Sequence, residues 1–340
     1  MINIIYRLSV PKLFEEIYEE IDINNDVIVR PLYLSICKAD QRYYHGKRES
    51  SILDSKLPMA LIHEGIGKVV KDNTGTFEVG DIVVMIPNSP SEDDDVIKAN
   101  YLPSSKFRAS NMDGFTCDLI SFKSDRLIKI PDNFNLKVSS FIELISVAYH
   151  AICSFENNSI SKKNKIGVWG DGSVGYLTSL LLTILYPESE IYVFGKHIEN
   201  LNMFSFVDNV YRVNEVPEDL TVDHGFECVG SQASQSAINQ IIDIINPQGT
   251  IMLLGVSEYD IPINTRLVLE KGLTLTGISR SEKEDFDGVI NLIKENPSIF
   301  EYLDKLVTEV IEVKSVEDLK NAFNQDSIIN FGKTVLKWNK

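Results

Sequence analysis

A glycine-rich turn between a strand-like and a helix-like segment restricts the fold of this chain more than any other feature. Residues 165–170 form a short apolar run that ends at a glycine, and apolar residues recur at helical spacing over 173–186. The turn at 170–175 reads GDGSVG and matches GxGxxG. In that setting the glycines permit a tight turn, backbone approach to a pyrophosphate and close helix–strand packing. The turn therefore predicts a dinucleotide site at the start of the helix; the alternative is a glycine-rich turn in another α/β protein.

The segments that follow the turn continue to alternate between strand-like and helix-like patterns. Strand-like segments lie at 191–195, 222–230, 250–256 and 273–279, and a helical pattern covers 234–249. This alternation predicts an α/β fold with a doubly wound, parallel Rossmann sheet. We place this domain at residues 147–285.

The rest of the chain has a different character. Short segments with β patterning, bounded by Gly, Pro or Asp, occur at 26–34, 67–72, 80–87 and 126–131. Beyond residue 285, helical patterns precede a strand-like segment at 332–338. We therefore predict that residues 1–146 and 286–340 form one mostly-β domain, with the Rossmann domain inserted into it.

The end of the second Rossmann strand bears on the choice of cofactor. Sites that prefer NAD place Asp or Glu about 20 residues after the glycine-rich turn, where it holds the ribose 2′-hydroxyl. Gly195 occupies that place here, and Lys196 and His197 follow it as possible partners of a 2′-phosphate. We predict NADP(H); the alternative is a solvated Lys196 and use of either cofactor. The predicted cofactor-binding residues are Gly170, Gly172, Ser173, Val174, Gly175, Gly195, Lys196 and His197.

Charge and cysteine usage exclude several classes of protein. The 340-residue chain has a formal net charge of −16, whereas a general nucleic-acid or anionic-membrane binder needs a basic face. We see no secretory signal, and no apolar stretch reaches the roughly 18 residues needed to cross a bilayer. The four cysteines are scattered, as is typical of a reducing compartment. We expect a cytoplasmic protein that binds neither nucleic acid nor membranes.

Three parts of the first domain carry residues that are able to bind a metal. Cys37 follows a predicted strand, His63 and Glu64 precede two glycines, and Glu143 lies near the end of the domain. Sulfur, nitrogen and carboxylate ligands suit Zn²⁺, and a catalytic zinc keeps one position open. Spacing alone leaves the alternative open, since a buried cysteine is often only a small apolar residue.

The order of several motifs resembles that of the medium-chain, zinc-dependent alcohol and polyol dehydrogenases. These motifs are Cys37 with Asp40, LIHEGIGKVV (61–70), GDIVVMIP (80–87), DGFTCDLI (113–120), ELISVAYHA (143–151) and GDGSVG (170–175). The resemblance covers essentially the whole chain. Two longer stretches, SICKADQRYYHG (35–46) and KLPMALIHEGIG (56–67), resemble the ribitol-5-phosphate dehydrogenase (ribulose-5-phosphate reductase) group.

The resemblance implies a mostly-β, GroES-like catalytic domain joined to the Rossmann domain. It also implies one catalytic zinc held by Cys37, His63 and either Glu64 or Glu143; an alternative is that Glu64 enters the metal shell only while substrate exchanges. Residues 85–112 contain no cysteine, so we expect no structural zinc of the kind that many members carry. Many members also have a hydroxyl two residues after the cysteine ligand, where Ala39 stands here. Glu64, His45 and zinc-bound water are therefore the candidate proton donors.

A basic segment next to Cys37 is the predicted substrate-binding region. Residues 38–48 include Lys38, Arg42, Lys47 and Arg48 in an otherwise acidic chain. Lys38 and Arg42 are candidates to hold a substrate phosphate, with arginine suited to a bidentate grip. Tyr43 and Tyr44 are candidates to line a sugar-binding cleft. The alternative is a solvated basic loop.

The resemblance implies NADPH- and zinc-dependent reduction of D-ribulose 5-phosphate to D-ribitol 5-phosphate, a precursor of CDP-ribitol for teichoic acids or capsules. The expected partners are the phosphorylated sugar, a ribitol-5-phosphate cytidylyltransferase as a functional neighbour, and a second copy in a homodimer. One alternative is an NAD-dependent polyol or secondary-alcohol dehydrogenase with an unphosphorylated substrate. Another is a catalytically silent NADPH-binding protein, against which the intact set of metal-ligand candidates argues.

Overall fold

The computed structural model describes residues 1–92 and 94–340. These residues form two compact units, one made of Met1–Ser146 with Ser281–Lys340 and the other of Val147–Arg280. The chain returns to the first unit at Ser281, a few residues before the boundary drawn from the sequence. In the part of the chain that is described, no helix is both long enough and apolar enough to span a membrane.

The first unit begins with short strands and helices. Its strands here are β1 (Ile2–Val10), β2 (Leu13–Glu20), β3 (Val27–Ser35), β4 (Met59–Ala60), β5 (Glu64–Asp72), β6 (Ile82–Met85), β7 (Asn88–Ser89), β8 (Lys106–Phe107), β9 (Ile120–Phe122) and β10 (Leu127–Lys129). Its helices here are α1 (Lys38–Tyr44), α2 (Ser50–Lys56), α3 (Leu136–Ser139) and α4 (Ile142–Asn158), of which α4 continues into the second unit.

The second unit alternates strands and helices. They are β11 (Lys165–Trp169), α5 (Ser173–Leu185), β12 (Glu190–Gly195), α6 (Ile198–Leu201), β13 (Asn209–Arg212), β14 (His224–Glu227), α7 (Ser234–Ile244), β15 (Thr250–Leu253), α8 (Thr265–Lys271) and β16 (Thr274–Gly277). The sheet has the order β13-β12-β11-β14-β15-β16, and each neighbouring pair is parallel. This is the predicted Rossmann architecture. β11 is one of its two middle strands, and its apolar residues are accordingly completely buried.

The chain then completes the first unit with further helices and two strands. They are α9 (Lys283–Glu295), α10 (Ile299–Leu303), β17 (Val307–Val313), α11 (Val316–Asp326) and β18 (Lys333–Trp338). The main sheet has the order β10-β6-β5-β3-β18-β17, and β9 also pairs with β3. A smaller sheet has the order β2-β1-β4, and β7 pairs with β8. The C-terminal segment thus supplies β18, which lies between β3 and the edge strand β17, to a sheet whose other strands come mostly from the first 130 residues.

The α1 helix is anchored in the core of the first unit. Tyr44, at its end, is completely buried; its ring lies 4.9 Å from the Phe323 ring and 5.7 Å from the Phe14 ring. Large apolar side chains lose water from both faces in such a cluster, which stabilises the packing by roughly 2–3 kcal/mol per ring. The end of α1 is therefore held by α11 and by the N-terminal hairpin, and Cys37 directly precedes the helix.

Candidate active site

His63 lies at the end of a strained turn that leads into β5. Ile62, the preceding residue, has φ of 68°, in the left-handed region that β-branched residues rarely adopt. Two hydrogen bonds hold it there: its N–H donates to Asp40 Oδ1 at 3.0 Å, and its carbonyl accepts from the Phe115 N–H at 2.7 Å. Such strain, of about 1–3 kcal/mol, persists only where surrounding contacts enforce it. The turn therefore fixes where His63 and Glu64 enter the sheet.

Asp40 ties the Cys37 segment to the His63 segment. Its carboxylate is buried, with Oδ2 accepting from the Cys37 N–H at 3.1 Å while Oδ1 accepts from Ile62. Oδ1 also lies 3.7 Å from His63 Nδ1, which is buried and has no hydrogen-bond partner among the described residues. A carboxylate beside one nitrogen of a metal-ligating histidine is a usual supporting group. The arrangement leaves Nε2 of His63 as the nitrogen for a metal.

The four candidate ligands predicted from the sequence come together in the first unit. Ligand atoms of Cys37, Asp40 and His63 lie within 4.8 Å of one another, and so do those of His63, Glu64 and Glu143. His63 belongs to both groups. The two glutamates and the histidine are buried, whereas Cys37 is partly exposed. A largely enclosed cluster with one accessible side has the form of a catalytic rather than a fully closed structural metal site.

Lys333, on β18, is a member of this cluster that the sequence did not reveal. Its Nζ lies 2.8 Å from Glu64 Oε1 and donates to the Ile36 carbonyl at 2.9 Å. The side chains of Lys333 and Glu64 are only 5% and 0% exposed, so water does not solvate either charge. Glu64 Oε2, by contrast, is buried without a hydrogen-bond partner in the described chain. Glu64 is therefore held from one side by a cation and leaves one oxygen unused.

Charges in the cluster shift the pKa of its members. Burial raises the pKa of Glu143 to about 7; the nearby His63 opposes this shift and the Glu64 carboxylate adds to it. Burial, the largest single effect, lowers the pKa of His63, but the interactions with Asp40 and Cys37 together outweigh burial, so the pKa of His63 lies well above its ordinary value. The cluster thus concentrates buried acidic groups around one histidine. An orphaned carboxylate oxygen and a Cys, His and Glu donor set fit a zinc ion.

The segments at 88–92 and 94–112, which contain no cysteine, are held by other contacts. β7 pairs with β8, and the Phe107 N–H donates to Asn111 Oδ1 at 2.6 Å. The Arg108 guanidinium donates to the carbonyls of Asp113 and Ser121, each at 3.2 Å, and lies over the Phe122 ring. Hydrogen bonds and a cation–π contact therefore hold this cysteine-free loop to the rest of the unit.

The glycine-rich turn of the second unit has the geometry that the motif predicts. Gly170 has φ of 132°, and a Cβ on it would lie 2.9 Å from the Cys228 carbonyl carbon. A Cβ on Gly175 would lie 1.9 Å from the Gly170 carbonyl oxygen, so only glycine allows α5 to pack so closely. A Cβ on Gly172, in contrast, would meet nothing within 4 Å. Open space at the second glycine, at the N-terminus of α5, fits a dinucleotide pyrophosphate.

The loop after β12 contains the other predicted cofactor residues. Asp171, from the glycine-rich turn, accepts hydrogen bonds in this loop from the Lys196 N–H at 2.9 Å and the His197 N–H at 2.6 Å. His197 Nδ1 lies 3.0 Å from the same oxygen. Ser173 and Val174 lie in the first turn of α5, beside Gly172. The structure thus brings the predicted residues into two adjoining segments and adds Asp171, which the sequence analysis did not single out.

The basic segment after Cys37 only partly matches its prediction. Lys38 is 61% exposed, donates to the Ile329 carbonyl at 3.0 Å and lies 4.0 Å from Asp326. Arg42 is half-buried on the same helix.

The two tyrosines of this segment do not line a cleft, contrary to prediction. Tyr43 is 4% exposed and belongs to the core, with the Arg48 guanidinium over its ring. Tyr44 is completely buried, and its hydroxyl donates to Asn324 Oδ1 at 2.9 Å. The physical reason is that this face of α1 packs on α11, so the rings contribute to packing.

Two family models match the chain. An alcohol dehydrogenase GroES-like domain matches residues 23–132, and a zinc-binding dehydrogenase domain matches residues 199–295. Together they cover more than half of the chain.

Individual relatives are similar over the whole length. Ribulose-5-phosphate reductase 1 of Staphylococcus aureus is 55% identical over 99% of both chains, and ribulose-5-phosphate reductase of Bacillus spizizenii is 50% identical over 99% of both. The crystal structure of S. aureus TarJ in complex with NADPH is 50% identical, has a TM-score of 0.90 and covers 100% of both chains. The chain therefore belongs to the zinc-binding, medium-chain alcohol dehydrogenase family, in the group that contains the ribulose-5-phosphate reductases.

Proposed function

We propose that this protein is a reductase that uses NADPH and zinc to convert D-ribulose 5-phosphate to D-ribitol 5-phosphate. The observation that carries the proposal is the full-length identity of 50% or more to reductases of this substrate. The buried cluster of metal-ligand candidates supports catalysis rather than cofactor binding alone. The solved relative that holds NADPH supports the choice of cofactor.

The residues assigned to the metal are Cys37, His63 and Glu143. Glu143 is preferred to Glu64 as the resting carboxylate ligand because Lys333 holds one oxygen of Glu64 at 2.8 Å. Glu64 then acts from outside the metal shell, with its free Oε2 near His63 and Glu143. A bound zinc polarises the substrate carbonyl and NADPH provides the hydride. The protein's contribution is to hold sulfur, nitrogen and oxygen donors in place through Asp40 and Lys333.

Lys38 and Arg42 are assigned to the substrate phosphate. They lie one helical turn apart on α1, immediately after Cys37, so both side chains project from one face of the helix. A phosphate binds arginine through two hydrogen bonds and lysine as a point charge. A substrate held in this way would have its carbonyl end closest to the helix start, where Cys37 lies.

The proposal is tested by mixing zinc-loaded protein with NADPH and ribulose 5-phosphate and following the loss of reduced cofactor. NADH and unphosphorylated ribulose are measured in parallel. Turnover that requires both the phosphate and NADPH, and that is lost in the Cys37→Ser variant, is the expected result. Turnover of unphosphorylated polyols with NAD⁺ would show that the substrate is an unphosphorylated polyol and not ribulose 5-phosphate. Binding of NADPH without turnover of any sugar would leave only a cofactor-binding protein.

We further propose that the protein works in the cytoplasm as a homodimer and supplies a ribitol-5-phosphate cytidylyltransferase, in the route to teichoic acids or capsules. The position of β16 at the edge of the six-stranded sheet supports dimerisation, because an edge strand has unpaired backbone groups. Sedimentation of the purified protein tests the dimer, and a single monomeric species at all concentrations would exclude it. Co-purification of the cytidylyltransferase tests whether the coupling includes contact.

A further inference from the structure

Asp171 makes contacts that neither the motif nor the proposed function explains. It is the residue between the first two glycines of the turn, a position that GxGxxG leaves unspecified. One oxygen of its carboxylate, Oδ2, faces three donors from the loop after β12: the N–H groups of Lys196 and His197, and the His197 ring nitrogen Nδ1. The turn and the loop are 25 residues apart in the chain, so this carboxylate joins two separate parts of the cofactor site.

The Asp171 side chain also fills the space where an NAD-type site would place its own acid. A Cβ on Gly195 would lie 2.6 Å from Asp171 Cβ and 2.8 Å from Leu201 Cδ2. No larger residue fits at position 195 while Asp171 keeps this conformation. Its negative charge, however, is directed at backbone and imidazole donors, and its side chain is only 15% exposed. The charge is therefore largely satisfied within the protein.

The contact with His197 has a directional consequence. A carboxylate oxygen only accepts hydrogen bonds, so Nδ1 of His197 is the donor and Nε2 lies on the opposite side of the ring. The His197 side chain is 57% exposed, which leaves Nε2 accessible to a ligand. Lys196, the neighbour of His197 on the loop that Asp171 holds, brings a positive charge to an anion bound there.

We infer that Asp171 is a positioning residue for the 2′-phosphate of the cofactor. It fixes the loop at 195–197 and orients His197 so that His197 and Lys196 bind that phosphate. The inference rests on the proposed use of NADPH. It assigns the preference for a 2′-phosphate to an acidic residue of the glycine-rich turn, although an acid near an anion would by itself oppose binding.

The test measures binding of adenosine 2′,5′-bisphosphate and of 5′-ADP by calorimetry, because neither ligand depends on sugar reduction. The variants are Asp171→Ala and Asp171→Asn, with Asp208→Ala as the control. Asp208 also accepts a backbone N–H, from Ile191 at 2.8 Å, but near the start of β12 and not in the loop that follows it. Asp171→Ala should weaken binding of the bisphosphate by about tenfold or more, as expected for loss of a charge-assisted contact, and 5′-ADP by less than about twofold. Asp171→Asn should fall between wild type and Asp171→Ala, and Asp208→Ala should leave the ratio of the two affinities unchanged.

Each other outcome has a definite meaning. Equal weakening of both ligands by Asp171→Ala would show a general structural role and overturn the inference. Tighter binding of the bisphosphate would show that Asp171 repels the 2′-phosphate, and an unchanged ratio would show that it has no part in the preference. If the wild-type protein itself binds the two ligands equally, the proposed NADPH preference fails, which is distinct from failure of the role of Asp171.

Discussion

Replacement of Lys333 by methionine should strongly destabilise the first unit. The substitution keeps an unbranched apolar chain of similar length but removes the ammonium that faces Glu64 at 2.8 Å. Since the Glu64 side chain is 0% exposed, water cannot take the place of Lys333. Removing one partner of a buried ion pair typically costs about 3–5 kcal/mol, because the other charge stays buried and uncompensated. We expect a loss of free energy of unfolding in that range.

A second variant separates the ion pair from simple packing damage. In Lys333→Met with Glu64→Gln, both charges are gone, and replacement of a whole buried pair by neutral groups is often close to neutral. The double variant should therefore be more stable than Lys333→Met alone, by about 2 kcal/mol, as a coupling between residues in contact. Lys320→Met is the matched control: Lys320 pairs with Glu317 at 3.5 Å on the surface, and its loss should cost less than about 1 kcal/mol.

The two tryptophans allow the first unit to be followed by itself. Trp338 lies on β18 in the first unit and Trp169 on β11 in the second, and the chain contains no other tryptophan. In a Trp169→Phe background, urea unfolding monitored by fluorescence therefore reports the first unit. Free zinc must be held at one concentration, since a metal that binds only the folded state raises apparent stability. A loss below about 1 kcal/mol for Lys333→Met, or a double variant no more stable than the single one, would refute the argument.

Three further variants test the site and its surroundings. The Cys37→Ser variant should lose its bound zinc, as measured by metal analysis, and its kcat should fall at least about 100-fold while its affinity for NADPH stays the same. Zinc retained by this variant would contradict the assignment of Cys37 as a ligand. The Tyr44→Phe variant should lose about 1 kcal/mol of free energy of unfolding, because the hydrogen bond from the Tyr44 hydroxyl to Asn324 is lost, and its KM for ribulose 5-phosphate should stay unchanged. A raised KM would show that Tyr44 lines the substrate cleft after all. The Glu227→Gln variant should lose about 1–3 kcal/mol of stability of the second unit in thermal unfolding, because the buried Glu227 carboxylate accepts hydrogen bonds from the backbone N–H groups of Val229, Gly230 and Gly255. Unchanged stability would show that a side-chain amide accepts these hydrogen bonds equally well.

Much of the fold followed from local pattern. The alternation after residue 165 predicted the parallel sheet and helices α5 and α7, because buried strands and amphipathic helices differ in apolar spacing. β13 was not predicted, since Asn209–Arg212 is an edge strand of only four residues in which every second residue is exposed. The β1–β2 hairpin was also missed. Its second strand carries glutamates in adjacent pairs, at 15–16 and 19–20, so apolar and polar residues do not alternate there as they do in a typical half-buried strand.

The site was predictable where chemistry is carried by residue type and motif. Cys37, His63, Glu64 and Glu143 were identified in this way, and the structure brings them together. Lys333 was not identifiable, because its partner Glu64 is 269 residues away and nothing in the sequence distinguishes it from Lys337, the other lysine of β18. The prediction that Tyr43 and Tyr44 line a cleft was wrong for a related reason. One face of helix α1 packs on the core, and the sequence of a seven-residue helix does not show which face that is.

The position of β18 in the chain has a consequence for biosynthesis. The metal cluster combines residues made before the second unit with Lys333, which is made after it. A ribosome therefore releases every strand of the six-stranded sheet before it releases the cation that neutralises Glu64. Because domains fold as units during synthesis, the cofactor-binding unit can form while the first unit still lacks β17 and β18. During that interval the nascent first unit has Glu64 without its counter-ion Lys333, so this unit can be completed only after the second unit has been synthesised.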